Sequence, residues 1–269
     1  MIVYRVYLLC IVLLFASDTL VAADRVLVVG SGGWMSCRQG VQDQFIAPHF
    51  HSLLNNLRHQ FPETQFDFLL TCSPGLAAAH GSRPIEYYYR SMSTCQQGQV
   101  AACEIGRLVQ KFSNSTTHLF LIGHSHGGWH AMHAASALSR VDGLFTIEPI
   151  SAAQCDTRAF LQNRSPRWSA GPRSPVAACR QAPCDVDYQS ILTVTSGNWH
   201  NYFLAPGQPR GDLHSSAAGG AINHAFFLEG DDRAHHRLGL DSRVWSHILR
   251  EISHSLAFPM SMPSSSESL

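Results

Sequence analysis

The sequence predicts an α/β fold in which a mostly parallel sheet is flanked by helices. Two observations carry this reading. Short apolar runs alternate with helix-length segments, the pattern of successive βαβ units. The chain, at 269 residues with 45% hydrophobic and 14% charged residues, is also long enough and apolar enough to bury a sizeable core as one such unit.

The elements follow in order along the chain. Arg25 to Val29 is the first predicted strand and runs into a glycine cluster. Residues 45–61 have helical spacing in Phe50, Leu53, Leu54 and Leu57. Phe66 to Leu70 is the second strand, and residues 72–89, with Pro74, Gly75, Gly81 and Pro84, read as loop. A helix is expected over 101–112, a third strand over 117–122, a helix over 127–140 and a fourth strand over 144–147. Ile191 to Thr195 reads as the fifth strand and residues 221–228 as the sixth. Asp241 is placed to cap a closing helix over 241–256, in which Val244, Ile248 and Ile252 recur on one face. No internal repeat is visible.

Three segments stand outside this alternation. Arg5 followed by the apolar run Val6 to Phe15, with Val21 and Ala23 placed as small residues before Asp24, predicts a leader over 1–23 that is cleaved after Ala23. No stable membrane span is then expected, and the location is secreted or periplasmic. Residues 151–190 are rich in Pro, Arg and Gly and lack periodicity, which predicts an insertion or partial cap on the 24–258 domain, the alternative being a disulfide-pinned surface excursion. Residues 259–269 form a Ser/Pro-rich tail expected to be disordered. Seven of the eight cysteines lie beyond the leader, and export would keep them in disulfides, with Cys95/Cys103 and Cys179/Cys184 as close pairs.

The segment Gly123-His124-Ser125-His126-Gly127-Gly128 fits G-x-S-x-G, directly after an apolar strand and directly before an Ala-rich helix. A sharp strand-to-helix turn projects the serine oxygen out of the sheet and forces strained backbone at the serine. Flanking glycines let neighbouring backbones pass. The helix that follows directs its N-terminal N–H groups at the place where negative charge would develop.

This turn, with the glycine-rich loop Val29 to Trp34 upstream, resembles the α/β-hydrolase superfamily and, within it, lipase and esterase branches. The resemblance implies an α/β-hydrolase fold with Ser125 as nucleophile. It also implies an oxyanion hole built from backbone N–H groups of Gly32 or Gly33 and of His126. A dinucleotide-binding loop is the rival reading of Gly30-x-Gly32, but position 35 is Met where the third glycine of that motif falls.

A serine hydroxyl needs a base, and the family order of serine, acid, histidine places it after the last strand. His235 fits that place, with His236 and His224 as alternatives. Glu148, which ends the fourth strand before Pro149, resembles the strand-end acid of pancreatic-type lipases, where Asp is usual; Asp212 is the alternative. His124, His126 and His130 flank the turn, and side chains on either side of Ser125 diverge, so they are read as lining the pocket with Trp34 and Trp129 and not as metal ligands. No CxxC pair occurs, and no metal or cofactor is expected.

Lys+Arg and Asp+Glu are both 19, and no basic block occurs, which excludes a nucleic-acid surface. The function expected is hydrolysis of a small-molecule or lipid carboxylic ester through an acyl-enzyme. Acyl transfer at the same site, or a noncatalytic binding role on the same fold, are the alternatives.

Overall fold

The computed structural model describes residues 25–33, 46–72, 88–91, 100–149, 187–205, 220–228 and 233–258. The leader at 1–23, Trp34, the pairing of the cysteines, most of the 151–190 stretch, Asp212 and the 259–269 tail lie outside these residues.

Seven strands form one sheet: β1 (Arg25–Ser31), β2 (Gln65–Cys72), β3 (Tyr88–Ser91), β4 (Thr117–His124), β5 (Gly143–Ile147), β6 (Trp199–Leu204) and β7 (Ile222–Phe226). Their order is β3-β2-β1-β4-β5-β6-β7, and every neighbouring pair is parallel. Six helices are described: α1 (Ala47–Gln60), α2 (Val100–Phe112), α3 (His126–Ala137), α4 (Tyr188–Val194), α5 (Ala234–Leu240) and α6 (Ser242–Ala257).

The central strands are apolar throughout because both of their faces are covered. In β1, Val26 and Val28 face one side with Phe50, Leu53 and Leu57 of α1 and Val244, Ile248 and Ile252 of α6. Leu27 and Val29 face the other side with Leu108 and Phe112 of α2, Ala131 and Met132 of α3, and Ile191 of α4. The architecture is therefore helix layer, sheet, helix layer. As expected, Asp241 caps α6, its carboxylate accepting from the Arg243 N–H at 2.9 Å.

Three stretches differ from the sequence reading. Ile191 to Thr195 is not a strand. Residues 191–194 belong to α4 and Thr195 closes it, while Asp187 caps its start by accepting from the Ser190 N–H at 3.0 Å. The fifth position of the alternation is taken by β6, Trp199–Leu204, which inserts beside β5. A further strand, β3, lies at the sheet edge and overlaps the end of the stretch read as loop over 72–89, and α5 occupies the segment between the last strand and the closing helix, where the sequence reading has no helix.

The strand order has one consequence for function. The chain runs outward from β1 to β3 in one direction and from β4 to β7 in the other. β1 and β4 therefore stand side by side at the point of reversal, with Ser31 opposite Gly123. In open parallel sheets, the crevice beyond the strand ends at this reversal is where ligands bind.

Candidate functional site

The loops that leave β1 and β4 meet in that crevice. Ser125 follows the last residue of β4 and precedes the first of α3, with φ 58° and ψ −128°. An L-residue reaches this region only at a cost of about 1–3 kcal/mol, so the surroundings must hold it there. They do so by hydrogen bonds. The Ser125 N–H donates to the Ile147 carbonyl at the end of β5 at 2.8 Å, and the Ser125 carbonyl accepts from the Gly128 N–H at 2.9 Å.

The glycines around the turn are needed for close approach. A Cβ on Gly127 would lie 2.2 Å from the Ser31 carbonyl oxygen and 2.5 Å from that of Gly32, both backbone atoms that cannot swing away. The start of α3 thus rests directly on the loop after β1. Gly127→Ala is expected to destabilise the fold by about 3 kcal/mol or more, because the clash is backbone against side chain. Urea unfolding of the variant beside wild type checks this, and an unchanged midpoint would contradict the packing described.

Gly33 abuts the serine. A Cβ there would lie 2.9 Å from the Ser125 Cβ, 3.3 Å from its Oγ and 3.4 Å from the His124 Nδ1. The Gly32 N–H, expected from the resemblance to face the reacting centre, instead donates to the Thr71 carbonyl of β2 at 3.0 Å. It completes the sheet ladder and is removed from the donor set. Gly33 and His126, the first residue of α3, remain beside the serine.

Glu148 follows β5 and, like Ser125, takes positive φ, here 44°. It is fully buried, and both carboxylate oxygens accept a hydrogen bond. Oε1 accepts from the Leu204 N–H at 2.8 Å, and Oε2 accepts from His235 Nδ1 at 3.1 Å. The backbone N–H of Glu148 donates to the Tyr202 carbonyl at 2.8 Å. A buried carboxylate is tolerated when it is paired and bonded in this way.

His235 sits in α5, at its second residue, and is 4% exposed. Bonding of Nδ1–H to Glu148 leaves Nε2 with its lone pair, the form that accepts a proton. The His235 main chain is tied to the turn before the serine, because His124 Nε2 donates to the His235 carbonyl at 3.1 Å. The two rings pack with centroids 4.8 Å apart. Ser125, His124, His235 and Glu148 therefore form one buried cluster drawn from β4, α5 and the end of β5.

Of the alternatives, His236 is exposed, while its neighbour His235 holds the Glu148 contact. His224 lies on β7 and bonds His200, not Glu148. His126, His130 and Trp129 are buried and pack ring on ring, His126 to His130 at 4.4 Å and Trp129 to His130 at 5.2 Å. They support the first turns of α3 from within.

Burial holds His124 well below the ordinary imidazole range, and neighbouring His235 adds to the effect. Burial, then His126 and His133, does the same for His130, and burial pushes His200 down to about 4. In the unfolded chain such rings take up protons as pH falls through 6.5, whereas in the folded chain they stay neutral. Their stabilising contribution is thus complete above 6.5 and declines as pH falls toward 4. The urea midpoint is expected to be level near pH 7 and to drop steadily across that window. A flat profile there would refute it.

Among the described residues no helix is long and apolar enough to cross a membrane. No protein-family model and no curated protein matches the sequence. Among solved structures the chain is similar to one described as "RedJ with PEG molecule bound in the active site". That structure is 17% identical, covers 87% of this chain and 91% of its own, and has a TM-score of 0.35. A likeness at that level carries no argument about what this chain does.

Proposed function

We propose that the chain is a serine hydrolase of the α/β-hydrolase type that cleaves carboxylic esters. The observation that supports this best is the buried cluster. A serine in strained backbone at a strand-to-helix turn follows His124, whose ring bonds the His235 carbonyl at 3.1 Å, and His235 Nδ1 in turn bonds a buried glutamate at 3.1 Å.

In this reading the Ser125 Oγ attacks the ester carbonyl while His235 Nε2 takes its proton. Glu148 holds the ring in the tautomer required and stabilises the imidazolium. The carbonyl oxygen, now negative, is met by the N–H groups of Gly33 and His126 at the positive end of α3. His235 returns the proton to the leaving alcohol as the C–O bond breaks, leaving an acyl group on Ser125. Water, deprotonated by His235, then releases the acid and restores the serine. His124 acts as a positioning residue that holds the His235 main chain.

The test is labelling of the full chain, less any leader, with a fluorophosphonate probe beside Ser125→Ala. Labelling confined to wild type, with turnover of p-nitrophenyl esters, is the expected outcome. Folded wild type that neither labels nor turns over ester would overturn the reading in favour of a binding role.

A further inference from the structure

At the far edge of the sheet, away from Ser125, three histidines converge from three elements. His200 lies near the start of β6, His224 on β7 and His247 on α6. One ring nitrogen from each falls within 4.8 Å of the other two. We infer that His200, His224 and His247 form a binding site for a divalent transition-metal ion such as zinc.

The distances suit this. Nitrogens on a tetrahedral zinc with bonds of 2.0–2.1 Å lie roughly 3.3 Å apart. The His200 Nδ1 to His224 Nε2 separation, 3.1 Å, is already close to that. The third nitrogen closes by at most about 1.5 Å to join them. Three imidazoles with an open fourth position suit zinc, copper, nickel or iron, and exclude magnesium and calcium, which prefer oxygen.

The outer groups are also in place. Metal-bound histidine typically donates its other N–H to an oxygen, which fixes the ring and its tautomer. His200 Nε2 donates to the Asn198 Oδ1 at 3.0 Å, and Asn198 is itself oriented by its Nδ2 donating to the Asp142 carbonyl. That leaves His200 Nδ1 with its lone pair toward His224. His247 Nδ1 bonds the Tyr202 hydroxyl at 2.9 Å. Glu251 lies 3.6 Å from His247 Nε2 and 4.0 Å from His200 Nε2, supplying negative charge beside the ion. Burial lowers all three histidines, which favours the neutral form that ligates.

The position allows entry. His200 is buried, whereas His224 and His247 are partly exposed at the sheet edge. It is also separate from the proposed catalytic cluster. His200 stands four residues before Leu204, whose N–H bonds Glu148, a distance of about 13 Å along a strand. A metal here departs from the sequence expectation that none binds, which rests on the lack of a CxxC pair and on the histidines around Ser125. An ion here would tie β7, which among the described residues pairs with β6 alone, to β6 and to the closing helix.

The experiment uses the full chain stripped with EDTA and dialysed, then titrated with zinc chloride against a chromophoric zinc chelator. One zinc per chain is expected, bound in the micromolar range or tighter, with a rise in unfolding temperature. His224→Ala and His247→Ala should each weaken zinc at least tenfold and abolish the thermal shift. Tyr202→Phe, which keeps the ring, should weaken it about 10- to 100-fold. Cobalt in place of zinc should show the absorption of a four-coordinate site with three nitrogen ligands in wild type and not in His224→Ala or His247→Ala. Circular dichroism confirms that each variant is folded. Should His224→Ala or His247→Ala not fold, Tyr202→Phe and the cobalt spectrum decide. Zinc bound with equal affinity by the folded variants, or by none of the proteins, would overturn the site.

Discussion

Ser125→Ala is expected to lower kcat for ester hydrolysis by about 10⁴- to 10⁶-fold with the fold intact. Removal of the hydroxyl takes away the atom that, in the proposed mechanism, forms the acyl-enzyme, and alanine supplies no replacement. His235→Ala should have an effect of similar size, because without a base the hydroxyl stays protonated. The two effects should not add, since each residue is useful only through the other. The double variant should therefore be no slower than either single one. Steady-state kinetics on all three, with probe labelling as a control, check this. A double variant slower than Ser125→Ala by the full His235→Ala factor would show that the two act independently. Alanine at 125 keeps the backbone N–H and carbonyl that hold the turn, and the folded fraction is measured alongside.

Glu148→Gln should cost about 10⁴-fold in kcat while leaving KM nearly unchanged. The reason is a mismatch in hydrogen bonding. Glu148 offers two acceptors, one to the Leu204 N–H and one to His235 Nδ1. Glutamine offers one acceptor and one donor. If its oxygen keeps Leu204, its amide donates to His235 Nδ1 and forces the proton onto Nε2, the wrong tautomer for taking the serine proton. If its oxygen keeps His235, an amide faces the Leu204 N–H, donor against donor, at about 1–3 kcal/mol of stability. Kinetics and urea unfolding on the same variant separate these arrangements. Full activity with full stability would remove Glu148 from the site.

Much of this was readable in the sequence, for identifiable reasons. Strands β1, β2, β4 and β5 are buried on both faces, so their apolar runs are nearly unbroken. β6 escaped notice because it carries polar groups into the interior. Asn201 is fully buried and accepts from the Thr146 hydroxyl at 2.9 Å. Conversely, Ile191 to Thr195 has the β-branched composition of a strand, yet its threonines bond back into a helix. The hydroxyls of Thr193 and Thr195 donate to the carbonyls of Gln189 and Ile191, 2.9 and 2.8 Å away. α5 is seven residues long and has no side-chain cap, leaving little local signal.

The pairing of Glu148 with a histidine near 235 follows from the resemblance, through its strand-end acid and its chain order, but the choice of His235 over His236 depends on which of two adjacent side chains turns inward. The use of the Gly32 N–H in the sheet depends on the register of β1 with β2, which no local pattern carries. The convergence of His200, His224 and His247 needs the β6–β7 register and the docking of α6 together.

The positive φ values at Ser125 and Glu148 have a bearing on how this protein changes under selection. Both residues hold conformations that glycine adopts freely, at the ends of adjacent strands. Selection for thermal stability alone would therefore favour glycine at 125, relieving about 1–3 kcal/mol of strain, whereas glycine at 148 would leave the Leu204 N–H and His235 without their buried acceptor. That change at 125 would delete the proposed nucleophile. Directed evolution toward heat resistance without an activity screen should accordingly drift toward a protein that folds well and lacks Ser125, and the retention of Ser125 in any natural lineage would mark a requirement other than folding.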